Sequence, residues 1–170
     1  MKNALIFLFS IVFLTNIQAQ KGLKTLFEEN IMTSIDGTEK SISEIIKSHK
    51  GKVIYIDFWA SWCASCRVRM PASIKLSEKY KGEDIVFVFF STDKEESAWK
   101  KAIEATSIAG IGEHYRKDQN EMNELLKFLY IYSIPHYLIV GKDGQLINRD
   151  ALHPGDPRLE KQLRKLMSSK

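Results

Sequence analysis

Trp59-Ala-Ser-Trp62-Cys63-Ala64-Ser65-Cys66-Arg-Val-Arg-Met-Pro71 is the stretch on which the reading of this chain turns. It follows Val53-Ile-Tyr-Ile-Asp57-Phe58, a run of β-branched and aromatic residues of the kind that favours a strand. The combination predicts a strand that delivers two cysteines to the start of a helix. Cys63 falls just ahead of that helix and Cys66 in its first turn, close enough for a reversible disulfide with little backbone movement. A helix N-terminus carries partial positive charge and unpaired N–H groups, which favour the thiolate of the first cysteine. The expected result is a nucleophile near neutral pH.

A bare C-x-x-C is also half of a zinc site. This chain has only two cysteines and four histidines, and none of the histidines stands at a zinc-finger spacing from them. No metal and no other cofactor is expected. The chain has 170 residues, 44% of them hydrophobic, enough for one well-buried core and too few for two ordinary domains. Its formal charge is +4, with no basic block dense enough for nucleic acid.

The segment from Asp57 to Pro71 resembles the signature of the thioredoxin superfamily: Asp-Phe-Trp-Ala-x-Trp-Cys-x-x-Cys-Arg, then a helix proline five residues after the second cysteine. With the elements read upstream of it, most of the mature chain is similar to exported thiol:disulfide oxidoreductases of the TlpA/ResA type. The resemblance implies an α/β, thioredoxin-like fold: a central mixed sheet flanked by helices, with an N-terminal β-hairpin extension and an inserted helix. It also implies that Cys63 and Cys66 form the redox-active disulfide, that Cys63 attacks and that Cys66 resolves. Asp57 stands where the family keeps a buried carboxylate that accepts the proton of the second cysteine. Pro135 stands where the family keeps a cis-proline opposite the cysteines, with the backbone at Ile134 pairing an extended substrate. Trp62, Ala64 and Ser65 complete the expected substrate-facing surface.

The motif departs from thioredoxin itself where Ala64-Ser65 replaces Gly-Pro. Loss of the proline frees one more amide in the first turn, which is expected to meet a sulfur and stabilise the thiolate. His136, directly after Pro135, departs from the threonine common in related exported proteins and is read as an ordinary strand residue. His49, His114 and His153 have no partners visible in the sequence.

Residues 1–19 show a positive Lys2, an apolar run from Ala4 to Leu14 and a polar stretch ending at Ala19, the pattern of a signal peptide. The mature domain is then residues 20–170, exported, and periplasmic in a Gram-negative cell. An uncleaved membrane tether is the other reading, although the run is shorter than the ~20 residues a spanning helix needs. Outside the cytosol a working dithiol either introduces disulfides or is kept reduced by a dedicated donor. The expected function is a protein-disulfide reductase acting on protein thiols and disulfides, with apocytochrome c one possible substrate and a membrane electron donor a possible partner. It is expected to be a monomer. A disulfide-introducing oxidase, a copper-binding chaperone, a peroxidase and a non-catalytic binding module are the rival readings.

Along the chain, Leu26 to Ile42 reads as strand-like runs broken at Asp36-Gly37, a hairpin. Ser41-Ile-Ser-Glu44 has the spacing of a capping box. The nearly unbroken apolar run Asp84–Ser91 reads as a central strand, with Ser91-Thr-Asp93 capping a helix at about 95–106. An exposed loop is expected around Gly110 and Gly112. A helix follows over Asn120–Tyr132, with Met122, Leu125, Leu126, Leu129 and Tyr130 on its core face. His136–Val140 and Gln145–Arg149 form a hairpin, and Asp156-Pro157 opens the closing helix.

Overall fold

The structure is a computed structural model, and it describes residues 20–169. The signal-peptide reading of residues 1–19 lies outside the described residues. The described residues open with a helix, α1, through residues 20–29. Then come β1 (Ile31–Ser34), β2 (Glu39–Ser41), α2 (Ile42–Ser48), β3 (Val53–Trp59), α3 (Ala64–Lys79) and β4 (Ile85–Ser91). The second half is α4 (Glu96–Ala105), β5 (Glu113–Arg116), α5 (Asn123–Phe128), β6 (His136–Val140), β7 (Leu146–Asn148) and α6 (Pro157–Ser168).

The seven strands form one sheet in the order β2-β1-β5-β4-β3-β6-β7. β3, β4 and β5 run parallel, while β6 lies antiparallel to β3 and carries the hairpin partner β7. Period-two alternation along β3 divides the core between the two faces of the sheet. Val53, Tyr55 and Trp59 face one cluster with Met70 of α3, Trp99 of α4 and Leu159 of α6. Ile54, Ile56 and Phe58 face the other, with Phe27 of α1, Ile45 of α2 and Leu125 of α5. This is the mixed sheet between helices that the motif resemblance implies.

The caps form as their residues dictate. Ser41 accepts from the Glu44 amide while Glu44 accepts from the Ser41 amide, a complete capping box on α2. Asp156 accepts from the Arg158 amide, with Pro157 in the first turn of α6. Such caps each contribute about 1 kcal/mol.

Three local features differ from or add to the expectations. Leu26 belongs to α1 and not to a strand, so the hairpin is only β1–β2, turned at Gly37 with φ 87°. The loop around Gly110 and Gly112 is exposed, as expected, but a strand not expected from the sequence follows it. This strand is β5, which joins the hairpin to the parallel strands by pairing with both β1 and β4. Gly112 makes this entry possible: its φ is +65°, and a Cβ there would sit 2.2 Å from the Phe87 carbonyl oxygen. Third, the helix expected over Asn120–Tyr132 shrinks to α5. Tyr130 has φ 60° and is exposed, because the chain leaves the helix there in the left-handed region to reach the loop before β6.

Candidate active site

Cys63 is the N-cap of α3, and Cys66 lies in its first turn, as the spacing predicts. The two are joined as a disulfide with their Cα atoms 5.2 Å apart. The Cys66 amide donates to Cys63 Sγ at 3.1 Å, so a sulfur does the work that a serine or aspartate oxygen does at most helix starts. The Ser65 hydroxyl lies 3.4 Å from the same sulfur. Since a disulfide sulfur has no hydrogen, the hydroxyl is the donor. The extra amide expected from the missing proline is therefore not the group that meets the sulfur; the Cys66 amide and the Ser65 side chain are. Both would stabilise a thiolate at Cys63 more than a neutral thiol.

Cys63 Sγ also faces the carbonyl oxygen of Ile134 at 3.7 Å, and the Ile134–Pro135 bond is cis. The loop before β6 thus lies directly across from the disulfide. Both cysteines are largely covered: Cys63 is 5% exposed and Cys66 1%. Only an edge of Cys63 is open to an incoming group, while Cys66 is closed beneath it. Around this edge stand exposed aromatic rings, Trp62 at 61% and Tyr132 at 80%. They line a hollow of about 300 Å³ together with Gln119, Leu126 and Ile134. Ala64 and Ser65 are exposed on the helix side of the disulfide. Trp59, by contrast, is fully buried and belongs to the core.

Asp57 sits on β3 between Tyr55 and Trp59, on the sheet face that carries the cysteines. It is 3% exposed, and its Oδ1 has no hydrogen-bond partner within the protein. Burial pushes its carboxyl well above the usual range, opposed by the Ser73 hydroxyl and the Arg69 guanidinium on α3. Its neighbour across the register with β6 is Tyr137, whose hydroxyl is also buried without a partner. A buried carboxyl whose pKa is raised in this way binds a proton more readily than an exposed one, which suits it to taking up and passing on a proton.

The sequence reading missed Asp93. Expected to cap α4, it instead leaves that helix start to Glu95, which makes no side-chain cap. The Ser61 amide donates to Asp93 Oδ2 at 2.9 Å, and the Ser61 hydroxyl donates to Oδ1 at 2.6 Å. The Ser91 hydroxyl donates to Oδ2 at 2.7 Å. A second guanidinium-bearing residue, Arg116, donates to the carbonyl oxygens of Asp93 and Lys94. A buried charge with this many donors is held in place, and it fixes the turn that presents Cys63. The only hint in the sequence was an aspartate two residues beyond a serine at the end of an apolar strand.

The histidines resolve into structural roles. His136 contacts the Arg149 carbonyl at 2.6 Å, across to the chain just beyond β7 and away from the sulfurs. His114 is buried and stacked on Phe89, and its Nε2 donates to the carbonyls of Ile108 and Ile111, which fixes the tautomer. Burial lowers its pKa, so it stays neutral. Among the described residues no group of three or more His, Cys, Asp or Glu side chains is placed to hold a metal.

Comparison with known proteins agrees with this geometry. A family model of thioredoxin-like proteins matches residues 51–146, a span that contains Asp57, both cysteines, Asp93 and Pro135. The thiol-disulfide oxidoreductase ResA of Bacillus thuringiensis subsp. konkukian is 24% identical over 136 residues, covering 80% of this chain and 73% of that protein. A protein of Bacteroides vulgatus described as a thiol-disulfide oxidoreductase, solved in solution, is 34% identical with a TM-score of 0.66, over 81% of this chain and 85% of that one. The thioredoxin domain of another thiol-disulfide oxidoreductase from Bacteroides vulgatus shares the fold, with TM-score 0.69 at 24% identity, over 82% of this chain and 93% of that one.

Proposed function

The chain belongs to the thioredoxin-like family, and we propose that within it this protein is an exported reductase of protein disulfides. It is a thiol-disulfide oxidoreductase. The observation that carries the finer reading is the placement of the Cys63–Cys66 pair at the start of α3, with Cys63 Sγ facing the Ile134 carbonyl across an open, aromatic-rimmed surface.

In the reduced enzyme the Cys63 thiolate attacks one sulfur of a substrate disulfide, and the other substrate sulfur leaves as a thiolate. The product is a mixed disulfide. Cys66 then gives its proton to the ionised form of the Asp57 carboxyl, attacks Cys63 Sγ and expels the second substrate sulfur as a thiolate. Two electrons pass to the substrate, and the enzyme is left as the Cys63–Cys66 disulfide. An extended substrate segment pairs with the backbone at Ile134, as in strand addition, while Trp62, Ala64, Ser65 and Pro135 meet its side chains. The apolar rim favours polypeptide substrates over small charged disulfides.

Export follows from the leader-like pattern of residues 1–19, and periplasmic work as a reductase requires a membrane electron donor to restore the dithiol. Oxidised apocytochrome c, whose disulfide must be reduced to thiols, is one substrate class that fits. The opposite direction, disulfide introduction, uses the same residues. A redox titration against glutathione, together with the in-cell state of the pair, separates them: a pair held mainly reduced in the exporting cell supports the reductase, and a pair held mainly oxidised supports the oxidase.

A further inference from the structure

A cleft among the described residues lies away from the disulfide. It has a volume of about 600 Å³, within the range of small-ligand sites, and is built from α1, α2 and the turn between β6 and β7. These helices pack on the sheet face opposite α3, so the cleft and the disulfide do not obstruct one another. Its floor is apolar: Leu23, Phe27, Ile46 and Leu146. Its rim carries Lys21, Lys24, Lys47 and Lys50 against a single acidic side chain, Asp143. All four lysines are exposed, and of them only Lys24 has an acidic partner, Glu28 at 3.9 Å. The first described residue, Gln20, lies on the lip.

We infer that this cleft is a docking site for anionic phospholipid at a membrane surface. An anionic headgroup meets the lysine rim, and the glycerol and upper acyl region meets the Leu23–Leu146 floor. An apolar floor alone would suit many occupants. The excess of positive charge around it selects a negatively charged amphiphile, and a phospholipid presents both an anionic headgroup for the lysines and apolar chains for the floor. The active edge at Cys63 is thereby left free for substrates while the domain lies on the membrane.

Sedimentation of the full chain with vesicles tests this. Vesicles of phosphatidylcholine alone are compared with vesicles containing about one third phosphatidylglycerol. Whatever the N-terminal run contributes is common to every variant, so partitioning is read as the ratio between the two vesicle types. The wild-type chain is expected to prefer the anionic vesicles, and Lys47→Glu with Lys50→Glu to cut that preference by at least about tenfold. Lys161→Glu with Lys165→Glu makes the same change of net charge on α6, on the far face of the sheet, and is expected to change the preference less than about twofold. Leu23→Asn, which alters only the floor, is expected to weaken the preference as well. Absence of any preference, an equal loss in the α6 variant, or no effect of Leu23→Asn overturns the proposal. Insulin reduction by the same variants should be unchanged, so loss of lipid docking and loss of disulfide exchange are read separately.

Discussion

Asp93, at the end of the strand beside β3, accepts both the backbone N–H and the hydroxyl of Ser61, at 2.9 and 2.6 Å, two residues before the sulfur that faces solvent. The turn that leads into Cys63 is therefore held from outside its own helix. Asp93→Ala leaves the Ser61 and Ser91 hydroxyls and the part-buried Ser61 amide without an acceptor. It should lower stability by about 2–4 kcal/mol and reduce kcat/KM in insulin reduction. Urea unfolding with parallel kinetics checks both, and a variant with wild-type stability and turnover would mean that the turn holds itself.

Asp57 should make stability depend on pH with an unusual sign. Its folded pKa is raised above the unfolded value of 3.8, so the folded state keeps a proton that the unfolded state has released. The unfolded state then binds fewer protons, and stability falls as pH rises from about 4 toward the raised folded value. Asp57→Asn should flatten that slope and be the more stable protein at neutral pH. It should also slow the second, resolving step by about 10²-fold. Denaturant midpoints across pH, with rapid-mixing kinetics, measure the two effects. A wild-type slope in the variant would place the titration elsewhere.

The Ser65 hydroxyl and the Cys66 amide both point at Cys63 Sγ, at 3.4 and 3.1 Å. Stabilising the thiolate favours the reduced pair, so the potential should be less negative than the roughly −270 mV of thioredoxin. Ser65→Ala removes one donor and should lower it by up to about 30 mV, equivalent to ~1.4 kcal/mol for two electrons. Glutathione equilibration reads the change, and an unchanged or higher potential would remove Ser65 from the account.

Tyr132 and Trp62 stand out into solvent beside the reactive edge. Tyr132→Ser should raise KM for a polypeptide disulfide by about tenfold while leaving reduction of a small disulfide unchanged. Equal losses on both substrates would assign the ring to the loop's structure and not to recognition.

Much of this was legible because the signals were local. β3 and the first turn of α3 follow from strand composition and from C-x-x-C spacing, and the α2 and α6 starts from capping residues within four positions of each other. β5 was not legible. Glu113-His-Tyr-Arg is polar and only four residues long, and it becomes a strand because Phe89 stacks on His114 and because two neighbouring strands pair with it. Asp93 was misread for a related reason. Its partner Ser61 is thirty-two positions away, so nothing near it in the chain distinguishes a helix cap from a clamp on a distant turn. Tyr130 fitted the apolar spacing of α5, but the chain turns out of the helix at that residue, and spacing carries no information on where a helix stops when no glycine or proline marks it.

The central claim is that Cys63 attacks and Cys66 resolves, and trapping of covalent intermediates tests it most directly. Cys66→Ser, exposed to oxidised protein substrates, should accumulate mixed disulfides through Cys63 that a reductant dissolves, and Cys63→Ser should accumulate none. Complexes formed equally by both variants, or only by Cys63→Ser, would contradict the account.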